Sequence, residues 1–291
     1  MGAAPPGALM RVLITGAAGQ VGRELETTFA VAGHQVTGTD QATLDITDRD
    51  SVLSAIAAIQ PDVVVNAAAW TAVDACEGDP DQAFRLNALA VRHLAEGARR
   101  AGAHVCHLST DYVFDGDQAD PYREWDPPCP RSVYGRSKLG GEQELDPGST
   151  IVRTSWVSGA HGSNMVKSVL RLASEHDRLT FVSDQRGNPT FAADLATAIR
   201  DLAVDRRPGL FHVTNQGAVS WFELAQEVLE LAGMDPARVQ PITTAELTPP
   251  RPAPRPANSV LDNAALRLSG LPLLPHHREP LERLVRRLTL E

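Results

Sequence analysis

Short runs of β-branched residues alternate along the chain with longer stretches whose apolar positions recur at helical spacing. Val12 to Thr15 reads as a buried strand. A turn spaced GxxGxxG (Gly16, Gly19, Gly22) then leads into a helix ending near Ala32. Gln35 to Thr39 is a second strand closing on Asp40, Asp62 to Val65 a third, His104 to Leu108 a fourth and Ile151 to Thr154 a fifth. Helices are predicted between them, from Thr47 to Ile59, Asp81 to Ala101 and Tyr134 to Glu144. Thr47 and Asp50 fit a capping box, in which each side chain satisfies the other's free amide. This alternation predicts an α/β fold, a Rossmann-type doubly wound parallel sheet with right-handed crossovers.

After Trp156 the rhythm loosens into a smaller, mixed α/β lobe. Helices are predicted over Asn164 to Ser174, Phe191 to Val204 and Glu279 to Leu290, and strands over Leu179 to Val182 and Leu210 to Val213. Ser220 and Glu223 form a second capping box, opening a helix to Ala232. Five prolines between Pro249 and Pro256 bar regular structure and predict an extended segment against this lobe. The main domain is read as residues 11–155. Residues 156–291 are mainly the second lobe, with segments around 179–214 returning to the main domain. Residues 1–10 read as a flexible leader rather than a signal peptide, with Met10 a candidate natural start.

Composition narrows the function classes. A net charge of -9 disfavours nucleic acid or an anionic membrane as partner, and no apolar run is long enough to span a bilayer. Cys76, Cys106 and Cys129 are odd in number and scattered, which fits a reducing, cytoplasmic location without disulfides.

The chemistry sits at strand ends. Gly16, Gly19 and Gly22 allow a backbone to approach a pyrophosphate, and the following helix start offers free amides to the anion. Asp40 ends the second strand, where an acid accepts bonds from an adenosine ribose; this favours NADH over NADPH unless Arg49 folds back. Asn66, Ala67, Ala68 and Ala69 follow the third strand, small enough to lie against a flat ring. Residues 11–155 are therefore expected to bind NAD(P). The chain has two lysines, and Lys138 stands four residues after Tyr134, on one face of a helix. Tyr134 can donate a proton to a carbonyl oxygen, Lys138 is expected to lower the phenol's pKa, and Thr110 can fix the same oxygen.

GxxGxxG, Ser109-Thr110-Asp111 and the Tyr134/Lys138 pair together resemble the extended short-chain dehydrogenase/reductase superfamily. Within it the chain is similar to the dTDP-4-dehydrorhamnose reductase family. The matching segments are 16–22, 66–74, 109–116, 134–138, 153–156, 184–190 and 255–259. The resemblance implies reduction of a dTDP-linked 4-keto-6-deoxy sugar by NADPH or NADH, with Thr110, Tyr134 and Lys138 as the catalytic triad. It adds Gln20, Val21, Asp45 and Ile46 to the cofactor contacts, with Tyr134 and Lys138 shared. It assigns Thr71, Val73, Asp74, Thr110, Asp111, Trp156, Asn188, Thr190, Arg255 and Asn258 to the substrate, and matches Asn87 to an asparagine that orders a relay water. It implies a monomer or homodimer. Some members carry Mg2+ bridged by glutamates, which this sequence does not establish. Where the family usually has a tyrosine two residues past Trp156, this chain has Ser158.

Three other readings compete. One is a sister reductase on another dTDP-4-keto sugar, such as dTDP-dihydrostreptose synthase. Another is a noncatalytic subunit of the methionine adenosyltransferase regulatory type. The third is an epimerase or dehydratase, against which Tyr112 stands where a dehydratase usually carries a second acid.

Overall fold

The computed structural model describes residues 9–290; residues 1–8 of the expected leader lie outside the described residues. Met10, placed in that leader by sequence, is buried in the main core, and its carbonyl accepts from Gln35 N–H.

The elements run β1 (Arg11–Thr15), α1 (Gln20–Val31), β2 (Gln35–Thr39), α2 (Arg49–Ile59), β3 (Val63–Asn66), α3 (Val73–Gly78), α4 (Pro80–Phe84), α5 (Ala90–Ala101), β4 (His104–Thr110), α6 (Val133–Gln143) and β5 (Thr150–Thr154). They continue as β6 (Val157–Ser158), α7 (Met165–Glu175), β7 (Leu179–Val182), β8 (Arg186–Gly187), β9 (Thr190–Phe191), α8 (Ala192–Val204), β10 (Gly209–His212), β11 (Val219–Ser220), α9 (Trp221–Leu231), β12 (Val239–Ile242), α10 (Ala264–Leu268) and α11 (Arg278–Leu290).

Six strands form one parallel sheet in the order β10-β5-β4-β3-β1-β2. Because successive side chains alternate between faces, Val12, Ile14, Val63 and Val65 meet α1 and α8 on one side. Leu13, Val64 and Val105 meet α2 and α5 on the other. Each fully buried aliphatic side chain contributes about 1.5–3 kcal/mol, so a strand buried on both faces needs an unbroken apolar run. The chain leaves β1 to one side for β2 and returns on the other for β3, and that switch opens a crevice at the carboxyl ends of the strands.

A second apolar cluster gathers α7, β7, α9, β12 and α11 around Val169, Leu224, Val228 and Leu281. Here β7 pairs with β12, whereas α8 packs on α1 and β10 closes the edge of the main sheet beside β5.

Two local expectations are corrected. The helix at 49–59 is capped by Asp48, which accepts from Asp50 and Ser51 N–H, and not by Thr47. The Thr47 hydroxyl is already committed to Asp45 at 2.7 Å. The helix expected over 81–101 is interrupted at Arg85–Leu89 by a wider π turn. That turn carries Asn87 into the interior, where it donates to Ser137 Oγ at 2.9 Å and exchanges bonds with both backbone groups of Trp70. The second capping box, Ser220 with Glu223, forms as expected.

Candidate active site

The glycine turn joins β1 to α1 through a close backbone contact. Gly16 has φ +74, and a Cβ there would stand 2.6 Å from Ala68 N; at Gly22 it would stand 2.2 Å from the Gly16 carbonyl oxygen. The first turn of α1 therefore lies directly over the sheet end. Two cavities, of about 240 and 290 Å3, share Gly19, Ala67 and Ala69 along this turn. The first is walled by Gln20, Val21, Gly22, Thr71, Tyr134 and Lys138, and the second by Gly16, Ala68, Asp40, Asp45 and Ile46. Together they make a trough with the amino end of α1 at its middle, a shape suited to a dinucleotide. A buried, unpartnered hydroxyl, Thr154 Oγ1, lies on a residue lining the first cavity. The residues present fit the cofactor.

Asp40 uses Oδ1 to hold its own loop, accepting from Ala42 N–H at 3.0 Å and Thr43 N–H at 3.1 Å. Arg49 does not fold back toward it; the guanidinium pairs with Glu96 through two bonds of 2.8 and 2.5 Å. Asn66 lines neither cavity. It is buried with its amide oxygen accepting from Thr15 Oγ1 and Ala68 N–H, bonds that shape the loop.

Helix α6 starts at Ser132, whose Oγ accepts from Gly135 N–H at 3.0 Å. A buried ion pair fixes the helix to the sheet. Arg153 on β5 donates to both Glu142 oxygens at 2.9 and 2.6 Å, and Ser109 donates to the same carboxylate. Tyr134 and Lys138 then point from one helical face toward β4, both at most 8% exposed. Burial raises the Tyr134 pKa above its ordinary value, while a hydrogen bond with Thr110 draws it down. The expected electrostatic help from Lys138 takes a different form. The amine turns to the Leu108 carbonyl at 2.6 Å and lies 3.4 Å from His107 Nε2, because a buried amine must find an acceptor. Burial pulls the Lys138 pKa down to about 8, with Glu142 opposing.

Thr110 Oγ1 donates to Asp111 Oδ1 at 2.9 Å, and Asp111 Oδ2 is buried without a partner. Burial pushes the Asp111 pKa up to about 6. Since the folded value exceeds the unfolded one, the cost of this carboxylate is absent below the unfolded pKa and fully present above about 6. Asp111→Asn is therefore expected to be more stable than the parent near pH 8, on the order of 2 kcal/mol, with the gain shrinking as pH falls toward about 5. Thermal melts across that range check the sign.

Other expected substrate residues are dispersed. Asp74 and Arg255 face each other in a two-bond ion pair of 2.5 and 2.7 Å, which holds Asp74 down to about 2 and straps the proline-rich segment to α3. Arg255 also lines a third cavity of about 310 Å3 with Tyr112, Phe181, Gln185, Trp221 and Arg251, none of these five picked out as site residues from sequence. Trp156 stacks on Trp221 with ring centres 3.4 Å apart. Asn188 and Asn258 are engaged in loop backbone: Asn188 Oδ1 accepts from Leu261 N–H, and Asn258 Nδ2 donates to the Gln118 carbonyl. Thr190 is buried and sits in register with Val157. Val73 packs beside Tyr134 and Cys76. Ser158 lines a separate cavity with Phe191 and Arg283, away from Tyr134. Leu108, Val157 and Thr154 were also missed; Leu108 and Val157 had no sequence signal beyond lying near a strand end, while Thr154 lies in the matching segment 153–156.

The three cysteines are free thiols. Among the described residues no helix is long and apolar enough to cross a membrane, and no group of three or more His, Cys, Asp or Glu is placed to hold a metal ion.

Residues 10–290 match the family described as the RmlD substrate binding domain. A dTDP-4-dehydrorhamnose reductase of Streptomyces griseus is 45% identical over 280 residues, covering 93% of this chain and 91% of that protein. A probable dTDP-4,6-dihydroxy-2-methyloxan-3-one 4-ketoreductase of Streptomyces antibioticus is 46% identical over 279 residues, covering 94% and 93%. The crystal structure of a Bacillus anthracis dTDP-4-dehydrorhamnose reductase in complex with NADP superposes with a TM-score of 0.92 at 37% identity, covering 96% of this chain and all of that one.

Proposed function

The chain belongs to the family of the RmlD substrate binding domain, and from that premise we propose that it reduces the C4 ketone of dTDP-4-dehydro-β-L-rhamnose (dTDP-6-deoxy-L-lyxo-4-hexulose) to dTDP-L-rhamnose with NAD(P)H. One observation carries the reading: Tyr134 and Lys138 line the same cavity as the glycine turn.

Gly16, Gly19, Gln20, Val21 and Gly22 hold the pyrophosphate, and Asp40 holds the adenosine ribose. When bound, the reduced nicotinamide supplies hydride. Tyr134 gives its proton to the ketone oxygen as negative charge develops there. Its raised pKa keeps the phenol protonated at neutral pH, as an acid must be. Thr110, whose single hydroxyl proton is given to Asp111 in the free enzyme, turns it to the same oxygen and fixes its place. The unpartnered Asp111 oxygen accepts a sugar hydroxyl. The second lobe supplies the nucleotide end. Arg251 and Arg255 face the diphosphate from the third cavity, where Tyr112, Phe181 and Trp221 offer ring surface to the base.

The test is oxidation of NADH and NADPH, compared side by side, with enzymatically generated dTDP-4-dehydrorhamnose and identification of the product sugar. Formation of dTDP-L-rhamnose is expected. No oxidation of either cofactor, or a product of other C4 configuration, overturns the reading. Ketones of the kind named for the S. antibioticus relative form the comparison arm.

Asp40→Asn keeps an oxygen for the loop amides and removes the charge that repels a 2′-phosphate. The KM ratio of NADPH to NADH is expected to fall by up to about tenfold, as roughly 1.4 kcal/mol of repulsion is relieved. Parallel changes in both KM values would remove the ribose argument.

A further inference from the structure

His107 has no part in the reaction as described, yet it is fully buried between two groups of the site. Its Nδ1 lies 3.0 Å from Asn66 Nδ2, and its Nε2 lies 3.4 Å from Lys138 Nζ. The orientation of Asn66 is fixed by a backbone amide. Ala68 N–H can only donate, so the Asn66 atom it meets at 3.1 Å is the oxygen, which also accepts from Thr15 Oγ1 at 2.7 Å. Asn66 Nδ2 is then a donor, and His107 Nδ1 must accept. A neutral ring that accepts at Nδ1 carries its proton on Nε2, the atom facing the lysine. An N–H aimed at a nitrogen bonds well to an amine and badly to an ammonium.

Other charged or titratable groups do not cancel this. On α6, Glu142 lies one turn beyond Lys138, but both its oxygens are taken by Arg153 of β5, and one also accepts from Ser109 of β4. Tyr134 is neutral at physiological pH, and Asn66 on β3 and Thr15 on β1 carry no charge. Burial holds the His107 pKa well below its ordinary value, and the Lys138 charge lowers it further.

We propose that His107 is a positioning residue for Lys138: its Nε2–H, presented by Asn66, sets where the amine points and when it carries its proton, so that NAD(P)H binding draws a proton onto the enzyme. The chain Thr15–Asn66–His107–Lys138 runs across three neighbouring strands to the helix, so the amine is held from the core of the sheet. Turning Lys138 from the Leu108 carbonyl toward a cofactor hydroxyl replaces the facing N–H by an acceptor and restores the ammonium. The consequence for cofactor binding rests on the reductase reading; the pairing itself does not.

The sequence makes the test direct, because the full chain has two lysines. With lysine labelled by 13C at Cε, the cofactor-free enzyme gives two resonances to follow against pH, and Lys167→Arg assigns them. The Lys138 resonance is expected to titrate near 8. In His107→Gln, whose amide oxygen can turn to Nζ, proton affinity is expected to rise about tenfold, one pH unit. Calorimetry of NAD(P)H binding near pH 8.5, in two buffers of different ionisation enthalpy, should show net proton uptake by the parent and about half or less of it in the variant. An unchanged Lys138 midpoint in folded His107→Gln overturns the proposal. If that variant does not fold, the parent decides: Lys138 titrating at the ordinary lysine value of about 10.4, or a His107 ring whose 15N shifts place the proton on Nδ1, overturns it equally. If Lys138 behaves as expected but no dTDP-4-keto sugar is reduced, the pairing stands and the reductase reading falls.

Discussion

Tyr134→Phe is expected to lose about 10²–10⁴-fold in turnover while binding NAD(P)H within about twofold of the parent. The substitution removes one hydroxyl and leaves the ring. That ring is packed edge-on against Tyr112 at 5.5 Å and beside Cys76 and Val133, contacts that a phenyl group keeps. Stability should fall only by the lost hydrogen bond with Thr110, about 1 kcal/mol. Loss of activity without loss of fold then isolates proton donation. Because burial raises this phenol's pKa, the alkaline limb of the parent's kcat/KM for NAD(P)H, which reports the cofactor-free enzyme, should belong to Lys138, near 8, and not to Tyr134. Steady-state rates with the dTDP-linked ketone and fluorescence titration of NAD(P)H check both halves. Near-normal turnover would refute the acid role.

Lys138→Met is expected to damage both quantities: about 10²-fold or more in turnover and about tenfold in cofactor affinity. Methionine fills the channel of the lysine stem but offers no donor. Lys138 is 2% exposed and its charge is disfavoured by burial, so its removal also removes a desolvation cost. Against that, the Leu108 carbonyl loses its 2.6 Å partner. The two effects oppose, and the melting temperature should stay within about 5 °C of the parent's. Unchanged turnover and affinity would show that Lys138 has been assigned the wrong task.

Much of the scaffold was legible because it is encoded locally. The five strands of the first half, the helix after the glycine turn and the capping box at Ser220 follow from periodicity and from side chains that reach only their own backbone. The Tyr134/Lys138 pair was legible for the same reason, since residues four apart share a helical face. Local signals failed where two neighbours competed for one role. Thr47 and Asp48 are both good caps, and Asp45 decided between them by taking the threonine hydroxyl. The helix over 81–101 carries no breaker that would announce its π turn. The turn follows from where Asn87 must reach, to Trp70 and to Ser137 fifty residues on.

The sequence by itself determined a parallel sheet, a glycine-lined turn at its first crossover and a phenol beside an amine. These are properties of spacing, and spacing survives without knowing what lies across the core. Only the tertiary structure decided where the polar side chains spend their bonds. Asp74 is neutralised by Arg255 across 181 residues, Lys138 is held by a carbonyl and an imidazole of β4, and Asn66 is turned into the sheet. Such partnerships form because leaving a buried polar atom unpaired is costly, so most take whatever partner packing brings within 3 Å or so, and that choice is made between elements far apart in the chain.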